Sequence, residues 1–196
     1  RSKYIILSDK WISDMINQYK NSPQDIIFPK LLAHEQFHIF QRFNKDKLDI
    51  LYSKYWNLVK YEKNLPEKIL KFNRTNPDAL PNINWAFRLS EDVLILPLCL
   101  YNKNAKSLKD TRNTFVRLNN NLEFIDLNKD LQDRKLLVEL NKFKNFFGDE
   151  CSNNYNANEL SSSIFELIIE EEISGNKFNF PAFNKRKEFL NFNLKN

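Results

Sequence analysis

The stretch Leu31-Leu32-Ala33-His34-Glu35-Gln36-Phe37-His38-Ile39-Phe40-Gln41-Arg42 contains the pattern His-Glu-x-x-His, and its two histidines are the only ones in the 196-residue chain. Side chains four residues apart on a helix lie one turn apart on the same face, so both imidazoles can reach one metal ion. Glu35 lies beside them and is a candidate general base. The stretch therefore predicts a metal-binding helix.

The helical projection of this stretch separates apolar from polar side chains at about 100° per residue. The apolar side holds Leu32, Ala33, Phe37, Ile39, Phe40 and Phe43. The polar side holds His34, Glu35, His38, Gln41 and Arg42. We expect the apolar side to anchor the helix in a core and the polar side to carry the chemistry.

The composition predicts a folded α+β protein. With 42% hydrophobic residues, including 17 Phe, 7 Tyr and 3 Trp, the chain can bury a core over residues 1–196 as a single domain. Two lobes with an inserted segment around residues 45–150 are the alternative. Only two glycines are present, which excludes the Gly-rich loops that bind phosphates.

Charge and cysteine usage exclude several other classes. The net charge is +5, but the basic residues are interleaved with 25 acids, so we do not expect nucleic-acid binding. Cys99 and Cys151 lie far apart, which argues against a disulfide scaffold and weakly favours an intracellular location. No signal peptide and no apolar run of about 18 residues is visible, so no membrane partner is expected. The localisation is otherwise open, because the chain begins with Arg, and the oligomeric state is not indicated.

Hydrophobic periodicity and breakers predict the elements of the first half. A short strand is expected at residues 3–7, and Ser8 or Asp9 should cap a helix to about residue 19. The motif helix should have Pro29 in its first turn and end near Asn44. A further helix is expected over 45–61 and a short one over 66–72, followed by an irregular loop over 73–84.

The second half is expected to contain the small sheet and three more helices. Residues 93–101 predict a buried strand, which Pro97 would place at an edge or a bulge. Residues 115–118 and 122–127 should pair around an Asn-rich turn. Residues 102–112 predict a surface loop. The helices are expected over residues 131–147, 158–173 and 182–194.

A catalytic zinc needs three protein ligands and one open position. Since no third histidine exists, the remaining ligand must be a carboxylate or a thiolate. This excludes the HExxHxxGxxH arrangement, because Gln41 and Asn44 occupy its last Gly and His positions. Cys99 lies in an apolar strand and should be buried and unreactive.

Glu159 is the favoured third ligand, since it lies in the first turn of a helix that apolar residues can anchor firmly. One face of that helix carries Glu159, Ser163, Glu166 and Glu170. The alternative is structural: Asn156 as N-cap with Glu159 three residues later is a capping-box pattern. Glu166, two turns further, is the fallback ligand or a supporting acid.

The sequence HEQFH at 34–38, followed by NELSS at 158–162, resembles the gluzincin class of zinc metallopeptidases, whose pattern is HExxH on one helix and NExxA or NExxS on another. The resemblance implies a zincin-like fold, one Zn²⁺ per chain held by His34, His38 and Glu159, and Glu35 as the catalytic base. Two departures are visible. The 159 − 38 = 121 positions between the motifs require an inserted subdomain, and Ser163 stands where some members carry an Asp that orients a ligand histidine.

The resulting hypothesis is a zinc-dependent metallopeptidase-like hydrolase that cleaves peptide or protein substrates. Tyr155 is the positional candidate for stabilising the oxyanion, ahead of Arg42, although a plain surface tyrosine is the simpler interpretation. Residues 76–81 either form an ordinary proline-defined loop or line the cleft above Trp85. The alternative function is a non-catalytic zincin-like binding or structural module, and a basic nucleic-acid-associated protein is a third.

Overall fold

The computed structural model describes residues 4–5, 7–22, 25–74, 84–107, 109–149 and 155–193. In these ranges the chain combines eight α-helices with one four-stranded antiparallel sheet. The predicted α+β class is therefore confirmed. None of the helices within the ranges has both the length and the apolar character that crossing a membrane requires.

Of the eight helices in the described ranges, seven precede or follow the strands in sequence, and one lies between the first two strands. The helices are α1 Asp9–Asn21, α2 Ile27–Phe43, α3 Lys45–Ile50, α4 Glu67–Leu70, α5 Leu127–Asp133, α6 Asn141–Phe147, α7 Ala157–Ser174 and α8 Pro181–Asn193. A π-helix at Leu51–Tyr55 continues α3, and a 3₁₀ turn at Leu137–Glu139 precedes α6. The motif stretch forms the centre of α2, with Pro29 in its first turn as predicted.

The strands follow one another in space as they do in sequence, in the order β1-β2-β3-β4. They are β1 Leu58–Tyr61, β2 Asn84–Arg88, β3 Leu94–Tyr101 and β4 Thr111–Leu118. β3 and β4 pair along their whole length, whereas β2 and β3 pair only at Phe87 with Ile95 and Arg88 with Leu94.

The sheet separates two hydrophobic cores. Along β3, Ile95 belongs to the larger core, which lies between the sheet and the helices α2, α6, α7 and α8. Leu94, Leu96 and Leu98 point to a smaller core under α4 and α5. Alternating side chains of a strand lie on opposite faces, so a strand buried on both faces reads as a continuous apolar run, as β3 does. Cys99 is buried in this strand, as expected.

Helices α2 and α7 pack side by side along their lengths. Small buried side chains on α7 permit the close approach, notably Ser161 and Ser162. The Phe37 ring of α2 lies 5.0 Å from Phe165 of α7, centroid to centroid. On the predicted apolar side of α2, Ala33 and Phe37 are buried and Phe40 packs against the larger core, whereas Phe43 is exposed. On the polar side, α7 covers His34 and His38.

Arg186 of α8 lies at the same junction and is fully buried. Its guanidinium carbon is 4.3 Å from the Phe37 ring centroid and 5.3 Å from that of Phe189. Within the described part of the chain its three side-chain nitrogens have no hydrogen-bond partner. Burial lowers the pKa of Arg186 to about 9.

The helix predicted over residues 45–61 is wrong from residue 56 onward. The chain leaves the helical path at Asn57, whose φ of 54° is left-handed, and continues as β1. Asn tolerates this conformation better than most residues, so it can reverse the chain here. The strands β1 and β2 were not predicted, because both are short and the helical spacing of the apolar residues before Asn57 dominates the local pattern.

The helix predicted over residues 131–147 is also wrong as a single element. It divides into α5, the 3₁₀ turn and α6, and Arg134 ends α5 in a left-handed conformation with φ of 44°. The predicted strand 122–127 reduces to one bridge between Leu118 and Phe124, and α5 begins at its last residue. Gly148 ends α6, as predicted.

Of the two positions predicted for Pro97, an edge or a bulge, the edge is wrong, because β2 and β4 flank β3. In the described part of the chain, β2 pairs with β3 only up to Ile95, and the next backbone contacts on that side come from residues 72–74, so Pro97 lies between the two. Some predictions fall wholly or partly outside the described residues: the strand at 3–7, the irregular loop at 73–84 with its segment 76–81, and Cys151.

Candidate metal centre

Three side chains predicted as ligands meet at the α2–α7 junction. The Nε2 atoms of His34 and His38 are 3.0 Å apart. The two carboxylate oxygens of Glu159 lie 3.4 Å from His34 Nε2 and 3.2 Å from His38 Nε2. All three side chains are buried, so this His34–His38–Glu159 group can hold a metal ion.

Local sequence explains why the Glu159 carboxylate is held in place. Asn156 caps α7 by accepting a hydrogen bond from the Asn158 N–H at 2.7 Å. This confirms Asn156 as the N-cap. Glu159 then falls in the first turn, where the helix dipole favours a negative charge, and its oxygens lie against the imidazoles.

Each imidazole is oriented through its second nitrogen. The Nδ1 atom of His34 contacts the Glu166 carboxylate, and Nδ1 of His38 contacts Gln41 Oε1 at 2.7 Å. The Gln41 amide is oriented by its Nε2 group, which donates to the Asn158 carbonyl at 2.8 Å. Gln41 Oε1 therefore accepts the Nδ1 proton of His38, and the same assignment for His34 leaves both Nε2 lone pairs facing the ligand position.

A buried polar network continues behind Gln41. The Tyr52 hydroxyl from the π-helix contacts Asn158 Oδ1 and Ser161 Oγ, both at 2.8 Å. Gln41 Nε2 also donates to Ser161 Oγ at 2.7 Å. Desolvation raises the pKa of Tyr52, so it stays a neutral hydroxyl. Each donor in this hydrogen-bond network has an acceptor, and a fully satisfied buried network makes its surroundings rigid.

The pKa values of His34 and Glu159 are shifted because ionisable side chains lie close together in this group. Burial by itself would lower the pKa of His34, but hydrogen bonds and attraction from Glu159 and Glu166 outweigh it and raise the pKa to about 9. Burial would raise the pKa of Glu159, but its contacts with His34 and His38 lower it to about 2. The centre therefore favours positive charge beside a carboxylate that stays ionised.

The spacing of the ligand atoms suits a small tetrahedral cation. Bonds of about 2.0–2.1 Å place tetrahedral ligand atoms about 3.3 Å from one another, and the three spacings here are 3.0, 3.2 and 3.4 Å. Two lone pairs directed at each other across 3.0 Å repel unless a proton or a metal ion lies between them. The arrangement therefore favours a cation at this position.

Glu35 lies on a different side of α2 and is half-buried. It lines a cavity of about 410 Å³ together with Leu31, Ile39 and Arg42 of the same helix and the residues that lead into α1. Among the described residues Glu35 has no hydrogen-bond or ion-pair partner. Its carboxylate is therefore available to act on a molecule in the cavity.

Sequence reasoning identified some of these residues and missed others. Glu166 was a candidate through its place on the Glu159 face, and Gln41 lies three residues after His38 on the polar side. The contribution of Tyr52 to the buried hydrogen-bond network was missed, because the local sequence does not indicate a π-helix. Tyr155 lies half-buried in the turn before α7, and its role in stabilising an oxyanion stays a prediction.

The chain matches no protein-family model, no curated protein and no solved structure. Its function therefore has to be inferred from the chemistry of the site.

Proposed function

We propose that the protein is a zinc-dependent, metallopeptidase-like hydrolase with a zincin-like active-site helix. The observation that carries the proposal is that the Glu159 carboxylate of α7 meets the two oriented Nε2 atoms of α2, with the ligand atoms 3.0–3.4 Å apart, and that α2 also carries Glu35. Two histidines and one carboxylate are a ligand set of catalytic zinc sites, which keep the fourth position open for water or substrate. The resemblance to gluzincins points to the same chemistry.

The mechanism assigns a distinct task to each residue. His34, His38 and Glu159 would hold the zinc, which would act as a Lewis acid and lower the pKa of a water from about 15.7 towards about 7. Glu35 would accept one proton from the attacking water as the water oxygen bonds to the substrate carbonyl carbon. Glu35 would then donate this proton to the amide nitrogen as the C–N bond breaks, which gives a carboxylic acid and an amine.

The test combines metal content with one conservative substitution. We expect about one zinc per chain in purified protein and measurable cleavage of a mixed peptide library. Glu35→Gln should retain the zinc and lose about 10²- to 10⁴-fold in kcat, since general acid–base catalysis contributes that much. His34→Ala should lose both zinc and cleavage. Protein that takes up no zinc, or a Glu35→Gln variant with full activity, would contradict the proposal.

The burial of the ligands favours a second candidate, a non-catalytic module in which the metal is structural. His38 and Glu159 are 2% and 4% exposed, and the ligands do not line the cavity beside Glu35. In this case His34→Ala lowers thermal stability, while zinc-loaded wild-type protein cleaves no peptide.

A further inference from the structure

We propose that Tyr52 is a positioning residue for the metal centre, which fixes the tautomer of His38 and ties this ligand to the start of α7. The Tyr52 hydroxyl belongs to a series of hydrogen bonds that begins at His38 Nδ1 and ends at Asn158, the residue before Glu159. The members of this series, in order, are His38, Gln41, Ser161, Tyr52 and Asn158. The inference rests on the metal site of the proposed function and assigns a role in that site to a residue of the π-helix.

The direction of the series is set where the Gln41 side chain meets the backbone of α7. A carbonyl oxygen only accepts hydrogen bonds, so the Gln41 atom that lies 2.8 Å from the Asn158 carbonyl has to be the amide nitrogen. The amide oxygen of Gln41 then faces His38 Nδ1 at 2.7 Å and accepts a hydrogen bond from it. His38 therefore carries its proton on Nδ1, and its Nε2 lone pair is directed at the metal position.

Ser161 and Tyr52 continue the series in the same direction. Gln41 Nε2 also donates to Ser161 Oγ at 2.7 Å. Because the Tyr52 hydroxyl donates to Asn158 Oδ1 at 2.8 Å, its oxygen can accept from the Ser161 hydroxyl, which also lies at 2.8 Å. Each group accepts from one neighbour and donates to the next, and hydrogen bonds arranged in this way polarise one another.

The Tyr52 hydroxyl keeps Ser161 from competing with Gln41. Among the described residues, the Ser161 hydroxyl has a second acceptor, the Asn158 carbonyl at 3.0 Å, to which Gln41 already donates. Without the Tyr52 oxygen, Ser161 donates to this carbonyl, and Asn158 Oδ1 loses the donor that Tyr52 supplies. The orientation of the Gln41 amide, and with it the proton on His38 Nδ1, is then less strongly fixed.

Aromatic packing holds the Tyr52 hydroxyl at this point. The side chain is 1% exposed, and its ring centroid lies 5.5 Å from that of Trp56 and 5.3 Å from that of Trp85. Desolvation raises the pKa of Tyr52, so the hydroxyl keeps the proton that it donates. Tyr52 lies in the π-helix Leu51–Tyr55, and single π-helical turns are frequent at functional sites. The packing of the π-helix and β2 thus determines the position of a group that acts on the metal ligands.

The experiment measures zinc affinity and the His38 tautomer in the whole protein carrying Tyr52→Phe, which removes one oxygen and keeps the aromatic packing. Zinc affinity, measured by competition with a chromophoric chelator, should fall about tenfold, the lower end of the range of about 10- to 100-fold for groups that support metal ligands. The tautomer is read from the imidazole nitrogen resonances of metal-free protein, which has only two histidines. We expect His38 to be protonated at Nδ1 in wild-type protein, and both of its nitrogens to shift towards the average of the two tautomers in the variant.

Tyr55→Phe is the matched control, because it removes a hydroxyl from the same π-helix but lies outside the hydrogen-bond series. It should change neither zinc affinity nor the tautomer. Gln41→Met tests whether Tyr52 acts through Gln41. Since residues that act through one another have non-additive effects, adding Tyr52→Phe to Gln41→Met should lower zinc affinity by less than about twofold further.

Three results would overturn the role of Tyr52: wild-type zinc affinity and tautomer in Tyr52→Phe, an equal loss in Tyr55→Phe, or the full tenfold loss on top of Gln41→Met. A protein that takes up no zinc would contradict the hydrolase function, and the His38 tautomer in metal-free Tyr52→Phe then decides the role of Tyr52 on its own. Loss of zinc affinity and a mixed tautomer in a protein that cleaves no peptide would support the role of Tyr52 and contradict only the hydrolase function.

Discussion

Glu166 and Gln41 hold the two histidines in place through their Nδ1 atoms. Such partners fix both the tautomer and the ring orientation of a metal-binding imidazole. Glu166 lies 132 positions from His34 and is brought to it by the packing of α7 on α2. The sequence places it on the Glu159 face, but only the packed structure shows which nitrogen it contacts.

Substitution of Glu166 should weaken metal binding more than it weakens the fold. Glu166→Gln removes the charge that supports His34 while keeping the shape, and we expect zinc affinity to fall by about 10- to 100-fold. Competition with a chromophoric chelator measures this change. Glu170→Gln is the matched control, because Glu170 pairs with Lys30 one turn further along α7. An equal loss of affinity in both variants would contradict the role of Glu166.

The stability of the metal-free protein should depend on pH through His34 and Glu159. The raised pKa of His34, about 9 against 6.5, gives a contribution that is complete below 6.5 and lost as the pH rises through 9. The lowered pKa of Glu159, about 2 against 4.5, gives a contribution that is complete above 4.5 and lost as the pH falls through 2. Both contributions are therefore complete between pH 4.5 and 6.5.

Thermal unfolding of chelator-treated protein at pH 6 and pH 9.5 checks this expectation. The midpoint should be higher at pH 6. His34→Asn should show a smaller difference between the two pH values, because it removes the group that titrates. If the variant keeps the full difference in unfolding midpoint between the two pH values, the loss of stability at alkaline pH comes from other groups.

Individual elements differ in how far the sequence predicts them. The helices α1, α2, α7 and α8 were predicted closely, because each has a cap, a breaker or an apolar stripe of its own. The region between α2 and α7 was predicted poorly, since β1 and β2 are stabilised by each other and by the core rather than by local preference. The π-helix that carries Tyr52 was not predicted for the same reason, because its formation depends on tertiary contacts.

Helix α8 contributes a buried cation, Arg186, at its junction with α2, and replacement of this residue should be tolerated. Arg186 is fully buried between two phenylalanine rings without a hydrogen bond in the described part of the chain. Replacing a buried charge by an apolar residue of similar volume is often neutral or stabilising by about 1–4 kcal/mol. We expect Arg186→Met to unfold at the same or higher denaturant concentration, with unchanged zinc content.

Lys187→Met is the control for this substitution, since Lys187 is the next residue on α8 and pairs with Glu171. Its effect should lie within about 1 kcal/mol, as for a partly exposed ion pair. A loss of more than about 3 kcal/mol in Arg186→Met alone would show that the guanidinium has a necessary partner.

On the scale of the whole molecule, the His34–His38–Glu159 group joins two helices that pack together but are separated in sequence by all the strands of the sheet. The ligands come from α2 and α7, while β1 to β4 lie between them in sequence. The sequence predicted the need for an inserted segment from the 121 positions between the motifs. It did not predict how the sheet packs beneath the helices, because that depends on contacts far apart along the chain.

Removal of zinc should therefore lower the stability of the whole protein and not only that of the site. A ligand that binds only the folded state stabilises it by about 2.7 kcal/mol at 100 times its Kd. We expect chelation to lower the midpoint of thermal unfolding, and excess Zn²⁺ to restore it. The His34→Ala variant should unfold at the same temperature with and without chelator, whereas a shift in that variant would mean that zinc acts elsewhere.

Cys99 is a buried free cysteine of β3, so the rate at which its thiol reacts with a reagent reports on opening of the protein. Side chains of a strand stand perpendicular to the sheet, and Cys99 lies on the same face as Ile95, so a thiol reagent reaches its sulfur only when the core between the sheet and the helices opens. The rate at which mass is gained at Cys99 then measures how often that core opens.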